Sequence, residues 1–338
     1  MKIKKPHRIR APLLVVLGLG LLAIGAYALP LFTTQPPEVQ LQSFSVAFTD
    51  PHTSSGITPS DILGIGGSSL IPCTELGLLC GDPKSAVPAD DIVALSYGWD
   101  FVLKNLPPVQ FSVAPGTLGV AGTAVNQEAN CTPPEPQADV FESTLDGTNI
   151  QNLDGDGQAC NPFNNGYGLT LQEVPISNNV DALAHDPCET IDLDCDSRPD
   201  QPVFFALAPG SPSLAYLGVT SADILIAGIG GYTPLVWADG VVDLSLDSAD
   251  VIDALCIWEN GSGVYEPGVD ILVFSLAAGS PTLAANNLSA ADLLARGDKV
   301  VYPASAIGLG SDPSEDIDAL TCTFDLPVYT IYLPLILK

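Results

Sequence analysis

Phe205-Ala206-Leu207-Ala208-Pro209-Gly210-Ser211-Pro212-Ser213-Leu214 runs in parallel with Phe274-Ser275-Leu276-Ala277-Ala278-Gly279-Ser280-Pro281-Thr282-Leu283, and the register holds without a gap through Ala222-Asp223-Ile224-Leu225 and Ala291-Asp292-Leu293-Leu294. Two more copies precede these. Each copy carries four landmarks in one order. The first is a Phe-Ser/Ala-aliphatic-Ala segment, opened by Phe44, Phe111, Phe205 and Phe274. The second is a small residue, Asp and two apolar residues, centred on Asp61, Asp139, Asp223 and Asp292. The third is Gly followed by Leu or Val, at Gly77, Gly168, Gly240 and Gly308. The fourth is Asp91-Ile92-Val93-Ala94-Leu95, Asn179-Val180-Asp181-Ala182-Leu183, Val251-Ile252-Asp253-Ala254-Leu255 and Asp316-Ile317-Asp318-Ala319-Leu320. Repetition of this kind fixes architecture, because each unit must bury its apolar face against its neighbours.

The landmarks are short apolar or alternating runs bounded by Gly, Pro, Asn or Asp, which is the pattern of strands and turns. With 31 Gly and 30 Pro the chain is cut into short pieces, and no sustained 3.6-residue period appears. The opening phenylalanines are 67, 94 and 69 positions apart, so copy two holds an insertion of about 25 residues between Asn130 and Tyr167. The expected fold class is all-β, with a repeat domain over 44–326 and copies at about 44–98, 111–186, 204–258 and 274–324. Four such units close radially as a four-bladed propeller, joined by the N- and C-terminal strands, or pack as tandem β-sandwiches. Ring closure predicts that the strand around Phe44 pairs with the segment from Asp318 to Phe324.

An Asp-Ala-Leu strand followed about twenty residues later by a Phe-containing strand, with Asp253-Ala254 and Asp318-Ala319 as its markers, resembles the hemopexin-type four-bladed propeller repeat. The resemblance implies a closed ring. The spacing here is longer, and the tryptophan-rich signature of that family is absent.

The chain opens with Lys2, Lys4, Lys5, Arg8 and Arg10, an apolar run from Leu13 to Leu29, and Ala26-Tyr27-Ala28 in small-x-small form. This reads as a signal peptide over 1–28, followed by a linker over 29–43; the alternative is an uncleaved anchor. Without residues 1–28 the chain carries 39 acidic against 6 basic side chains, about −33. Such a charge excludes nucleic acid as a partner and attracts cations. Apolar residues make up 46% of the chain and charged ones only 15%, enough to build a core. The 8 cysteines follow the apolar run, as expected for an oxidising compartment, and nearest neighbours pair as Cys73–Cys80, Cys131–Cys160, Cys188–Cys195 and Cys256–Cys322. Residues 327–338 form a last strand or a tail whose Tyr332-Leu333-Pro334-Leu335 resembles the YLPL-type tails of secreted bacterial proteins.

Two acidic loops carry the clearest chemistry. Asn152, Asp154 and Asp156 place oxygens at positions 1, 3 and 5 of a calcium-type loop, with Gly157 at position 6 and Phe163 where the bidentate Glu of an EF-hand would stand. Asp192, Asp194 and Asp196 repeat the spacing, with Asp200 beyond them. Calcium is the expected cofactor of both loops; the plainer alternative is a solvated acidic turn. The recurring Asp61, Asp139, Asp223 and Asp292 suit a turn-forming role. Asp181, Asp253 and Asp318 would meet, and hold a cation, only where their strands line a central axis. Gly64-Ile65-Gly66-Gly67 and Gly228-Ile229-Gly230-Gly231 are followed by proline rather than a helix, so they are turns and not phosphate cradles. No catalytic residue is expected. The function implied is that of an exported, calcium-associated β-repeat protein with a structural or binding role at the cell surface. A secreted carbohydrate-active enzyme or carbohydrate-binding module is the alternative. The partner expected is a cell-surface component or polysaccharide, with membrane contact only through an uncleaved N-terminal segment or a processed tail.

Overall fold

A computed structural model describes residues 38–47, 56–81, 89–97, 108–156, 169–172, 178–185, 202–228, 233–309 and 315–325 of the 338-residue chain. These residues form a four-bladed β-propeller, each blade a four-stranded antiparallel sheet. Blade two contains β4 (Ile92–Ser96), β5 (Val109–Val113), β6 (Val140–Ser143) and β7 (Ile150–Leu153). Blade three contains β8 (Val180–His185), β9 (Pro202–Leu207), β10 (Ile224–Gly228) and β11 (Leu235–Ala238). Blade four contains β12 (Ile252–Trp258), β13 (Ile271–Leu276), β14 (Leu293–Arg296) and β15 (Lys299–Tyr302). Blade one draws on both ends of the described chain: β16 (Ile317–Asp325) is its first strand, followed by β1 (Glu38–Val46), β2 (Ile62–Gly64) and β3 (Ser68–Ile71).

The clasp expected from the sequence is present. β1 pairs antiparallel with β16, and Phe44 stands opposite Leu320. A sequence copy and a blade are therefore offset by one strand, because each Asp-Ala-Leu strand pairs with the phenylalanine strand of the next copy. β1 also takes in residues 38–43, the end of the stretch read as linker.

Why the landmarks recur is a matter of packing. The Asp-Ala-Leu strands β4, β8, β12 and β16 are the innermost strands and pack against one another around the axis. In each blade the leucine of the triplet faces a phenylalanine on the next strand: Leu95 with Phe111, Leu183 with Phe205, Leu255 with Phe274, and Leu320 with Phe44. All four rings are fully buried, each in a different seam between adjacent blades. The core is thus four inter-blade layers. Burying a phenylalanine contributes about 2–3 kcal/mol, which is why a ring needs one per seam.

Each inner strand is also bulged at the same point. The ladder skips Val93, Asp181 and Asp253 in β4, β8 and β12, and Asp318 in β16. A bulge leaves its extra residue out of the ladder and redirects its side chain.

Three six-residue helices, α1 (Ala124–Ala129), α2 (Pro212–Leu217) and α3 (Pro281–Asn286), sit between the second and third strands of blades two, three and four. Fewer than two turns is too short to show a 3.6-residue period. In these three blades the residue preceding the inner-strand landmark secures this region. Asn178 Oδ1 accepts from Ser213 N at 2.9 Å and Asp250 Oδ1 from Thr282 N at 2.9 Å, both at helix starts, while Asp90 accepts from Leu118 N and Gly119 N.

Disulfides join Cys73 to Cys80 and Cys256 to Cys322, the latter stapling β12 to the clasp strand β16. Cys131 is also disulfide-bonded, while Cys160, Cys188 and Cys195 of the other expected pairs lie outside the described residues. These bonds place the fold in an oxidising environment. No helix among the described residues is long and apolar enough to cross a membrane.

Candidate cation site in blade two

The second-landmark aspartates show what this position does by default. Asp61 Oδ2 accepts from Thr58 N at 2.7 Å, and its Oδ1 from Cys73 N at 2.8 Å. Asp223 repeats this with Thr220 N at 2.7 Å and Gly240 N at 2.8 Å, and Asp292 with Ser289 N at 2.9 Å and Ala304 N at 2.8 Å. One oxygen closes the turn before the third strand and the other holds the segment after the fourth. This is the turn role expected of them. At Gly240 a side chain is excluded, since a Cβ would fall 2.3 Å from the Ala222 carbonyl oxygen.

Asp139 departs from the pattern. Its Oδ1 still accepts from a backbone amide, Gly155 N at 2.9 Å, but Pro136 stands three residues before it and has no N–H to offer. Its Oδ2 accepts from Gln151 Nε2 at 2.9 Å instead. The segment held by Asp139 is the sequence-predicted calcium loop. Asp154 Oδ1 accepts from Asp156 N at 3.1 Å, and the chain returns against the loop through Leu169 N to Asp154 O and Leu171 N to Gly155 O, both 2.8 Å.

Further carboxylates arrive from α1 and from the insertion. Thr123 caps α1 by accepting from Asn126 N, and Asn149 Oδ1 accepts from Val125 N, which fixes the helix that carries Glu128. Glu128 is 2% exposed, Asp139 1% and Asp154 5%; Asp156 is half-buried. Burial, and then the charges of Asp154 and Asp156, push the Glu128 carboxyl up to about 7. Burial, with Asp154, Glu128 and Glu135 adding repulsion, holds Asp139 well above the usual carboxylate range against the lowering effect of its Gly155 hydrogen bond. A Glu135 carboxylate oxygen lies within 4.8 Å of one from Glu128. Cys131 belongs to the same group, but as a disulfide sulfur it is not a thiolate ligand.

Acidic groups gathered this closely repel one another unless protons or a cation intervene. Among the described residues the only Lys or Arg are Arg296 and Lys299, both on the β14–β15 hairpin of blade four. An all-oxygen set with several carboxylates suits a hard cation, calcium before a transition metal. Asn152 lies half-buried in β7, while Asp192, Asp194, Asp196 and Asp200 lie outside the described residues. Glu128, Glu135 and Asp139 escape a reading by loop spacing because they come from other segments of the chain. Asp181, Asp253 and Asp318 do occupy inner strands around the axis.

Trp237 is 2% exposed and packed edge-on between Phe204 and Tyr265, each with ring centroids 5.0 Å away, so it offers no sugar-stacking face. Gly66 N donates to Ile307 O at 2.9 Å, and Gly66 lies so near Gly308 that its turn serves packing between blades four and one. No protein-family model, curated protein or solved structure matches the chain. The propeller thus rests on its own strand pairing, without a hemopexin-type family match, and the C-terminal tail lies outside the described residues.

Proposed function

We propose that this is an exported, calcium-associated four-bladed propeller with a structural or binding role at the cell surface, and that calcium seats the copy-two insertion on blade two. The observation that carries this is the convergence of the buried Glu128, Asp139 and Asp154 with Asp156, where neighbouring carboxylates add to burial in raising the Glu128 and Asp139 carboxyls. The apolar N-terminal segment, the disulfides and a charge of about −33 fit an extracellular setting, where calcium is abundant. Bound calcium stabilises the fold by about 2.7 kcal/mol at a hundred times its dissociation constant, or roughly 5 °C in melting temperature.

The test is thermal unfolding in EGTA and in millimolar calcium at matched ionic strength, which separates ligation from screening. Wild type melts higher in calcium, and Asp154→Ala/Asp156→Ala removes most of the shift. Equal midpoints for wild type in the two buffers refute calcium association.

A further inference from the structure

The propeller axis gathers a second set of acidic side chains, far from blade two's insertion in sequence and contributed by different strands. Asp253 comes from β12, Asp318 from β16, and Asp316 from the residue just before β16; each offers a carboxylate oxygen within 4.8 Å of the others. All three are buried. Asp181 of β8 and Asp91, just before β4, extend the cluster, so every blade contributes at least one carboxylate. Asp181, Asp253 and Asp318 are bulged residues, displaced from the ladder at equivalent points in three blades.

An independent observation marks the centre of this cluster as a place for a ligand. Asp253 is 6% exposed and its Oδ2 has no hydrogen-bond partner. Asp91 Oδ1 and Asn179 Oδ1, at the first position of the inner-strand landmark in blades two and three, are likewise buried without partners. Asn179 is next to the cluster, donating from Nδ2 to Asp181 Oδ1 at 3.3 Å. Burial, then Asp318, Asp181 and Asp316, raises Asp253 far above the carboxylate range. Burial, then Asp181, raises Asp91 to about 8, and burial, then Asp316, raises Asp181 to about 7. Orphaned buried acceptors are rare because each costs about 1–3 kcal/mol. Three such oxygens, at the inner-strand landmarks of blades two, three and four, call for positive charge, and the Lys and Arg among the described residues, Arg296 and Lys299, are on an outer hairpin.

We propose that the propeller axis is a cation site separate from the blade-two loop, in which Asp253, Asp316 and Asp318 ligate one hard divalent cation of the calcium class. The donor set is all oxygen, without His or Cys, which disfavours transition metals. Its ligands join β12 to β16, so the ion ties blade four to the C-terminal clasp, on the same two strands as the Cys256–Cys322 bond. The cation is a lock on ring closure.

The experiment uses the exported chain carrying Asp154→Asn/Asp156→Asn, so that the loop site is disabled and the two sites are scored separately. Calorimetric titration with calcium should still show one ion bound per chain, and adding Asp253→Asn/Asp318→Asn should weaken that binding at least 100-fold. The Asn substitutions relieve repulsion and are expected to fold in EGTA. Should they not fold, hydrogen exchange in the loop variant alone decides the matter: calcium should slow exchange of β12 and β16 amides at least tenfold. Loss of all calcium binding in the loop variant, affinity unchanged by the axis substitutions, or unchanged exchange at β12 and β16 would each overturn the axial site. Calcium binding by wild type that is indistinguishable from that of the loop variant would count against the blade-two site and leave the axis standing.

Discussion

In blades one, three and four the aspartate ahead of the third strand meets backbone donors with both oxygens, and Thr58, Thr220 or Ser289 stands three residues before it. In blade two the same aspartate, Asp139, follows Pro136, keeps one backbone donor, and lies beside Asp154, Glu128 and Glu135. One repeat position thus has two fates. Where the backbone fills both oxygens, the carboxylate is a structural staple that needs no ion. Where a proline removes a backbone donor, Gln151 takes its place and more carboxylates stand alongside, so this is the position where the proposed function puts a cation.

The sharpest way to break that comparison is to treat the two aspartates alike. Asp223→Ala strands Thr220 N and Gly240 N and should cost about 4 kcal/mol, equally in calcium and in EGTA, by denaturant unfolding. A calcium-dependent loss would mean that the staples too bind ions.

The seam between blades two and three provides a control that involves no cation. His185 is buried, its Nδ1 bonds Gln110 Oε1, and burial lowers its pKa from 6.5 to about 4. Because the folded value is depressed, the neutral imidazole contributes stability that is fully present above pH 6.5 and is lost as pH falls through 4, about 3 kcal/mol in all. The difference in unfolding free energy between wild type and His185→Gln should shrink by that amount across the window. A difference independent of pH would show that His185 does not titrate on unfolding.

The smallest effect belongs to Asp139. Asp139→Asn can retain the Gly155 bond while Gln151 turns its amide oxygen toward the new NH₂. In EGTA the variant should be as stable as wild type or more so, because repulsion with Asp154 falls. In calcium it should lose up to about 2.7 kcal/mol of ligand-linked stability. A large loss in EGTA would make Asp139 an ordinary staple.

Much of this architecture is legible in the sequence because it repeats. The Phe and Leu landmarks mark one cross-strand pair in every blade, and the order of landmarks at the two ends predicts the β1–β16 clasp. The blade-two site is legible only in its contiguous part, Asp154 and Asp156. Glu128 reaches it from α1, which is too short to register as a helix, and Asp139 is masked by its resemblance to three structural aspartates. The axial aspartates are visible as a repeated triplet, but the bulge that takes each out of the ladder is a property of strand pairing, which no single segment encodes.

The most direct measurement is a crystal structure of residues 29–338 grown in calcium, with anomalous data to locate the ion. The account predicts a peak in blade two bounded by carboxylate oxygens of Glu128, Asp139, Asp154 and Asp156 at 2.3–2.6 Å, the calcium–oxygen range. Ordered carboxyls hydrogen-bonded to one another in millimolar calcium, with no anomalous peak among them, would contradict it.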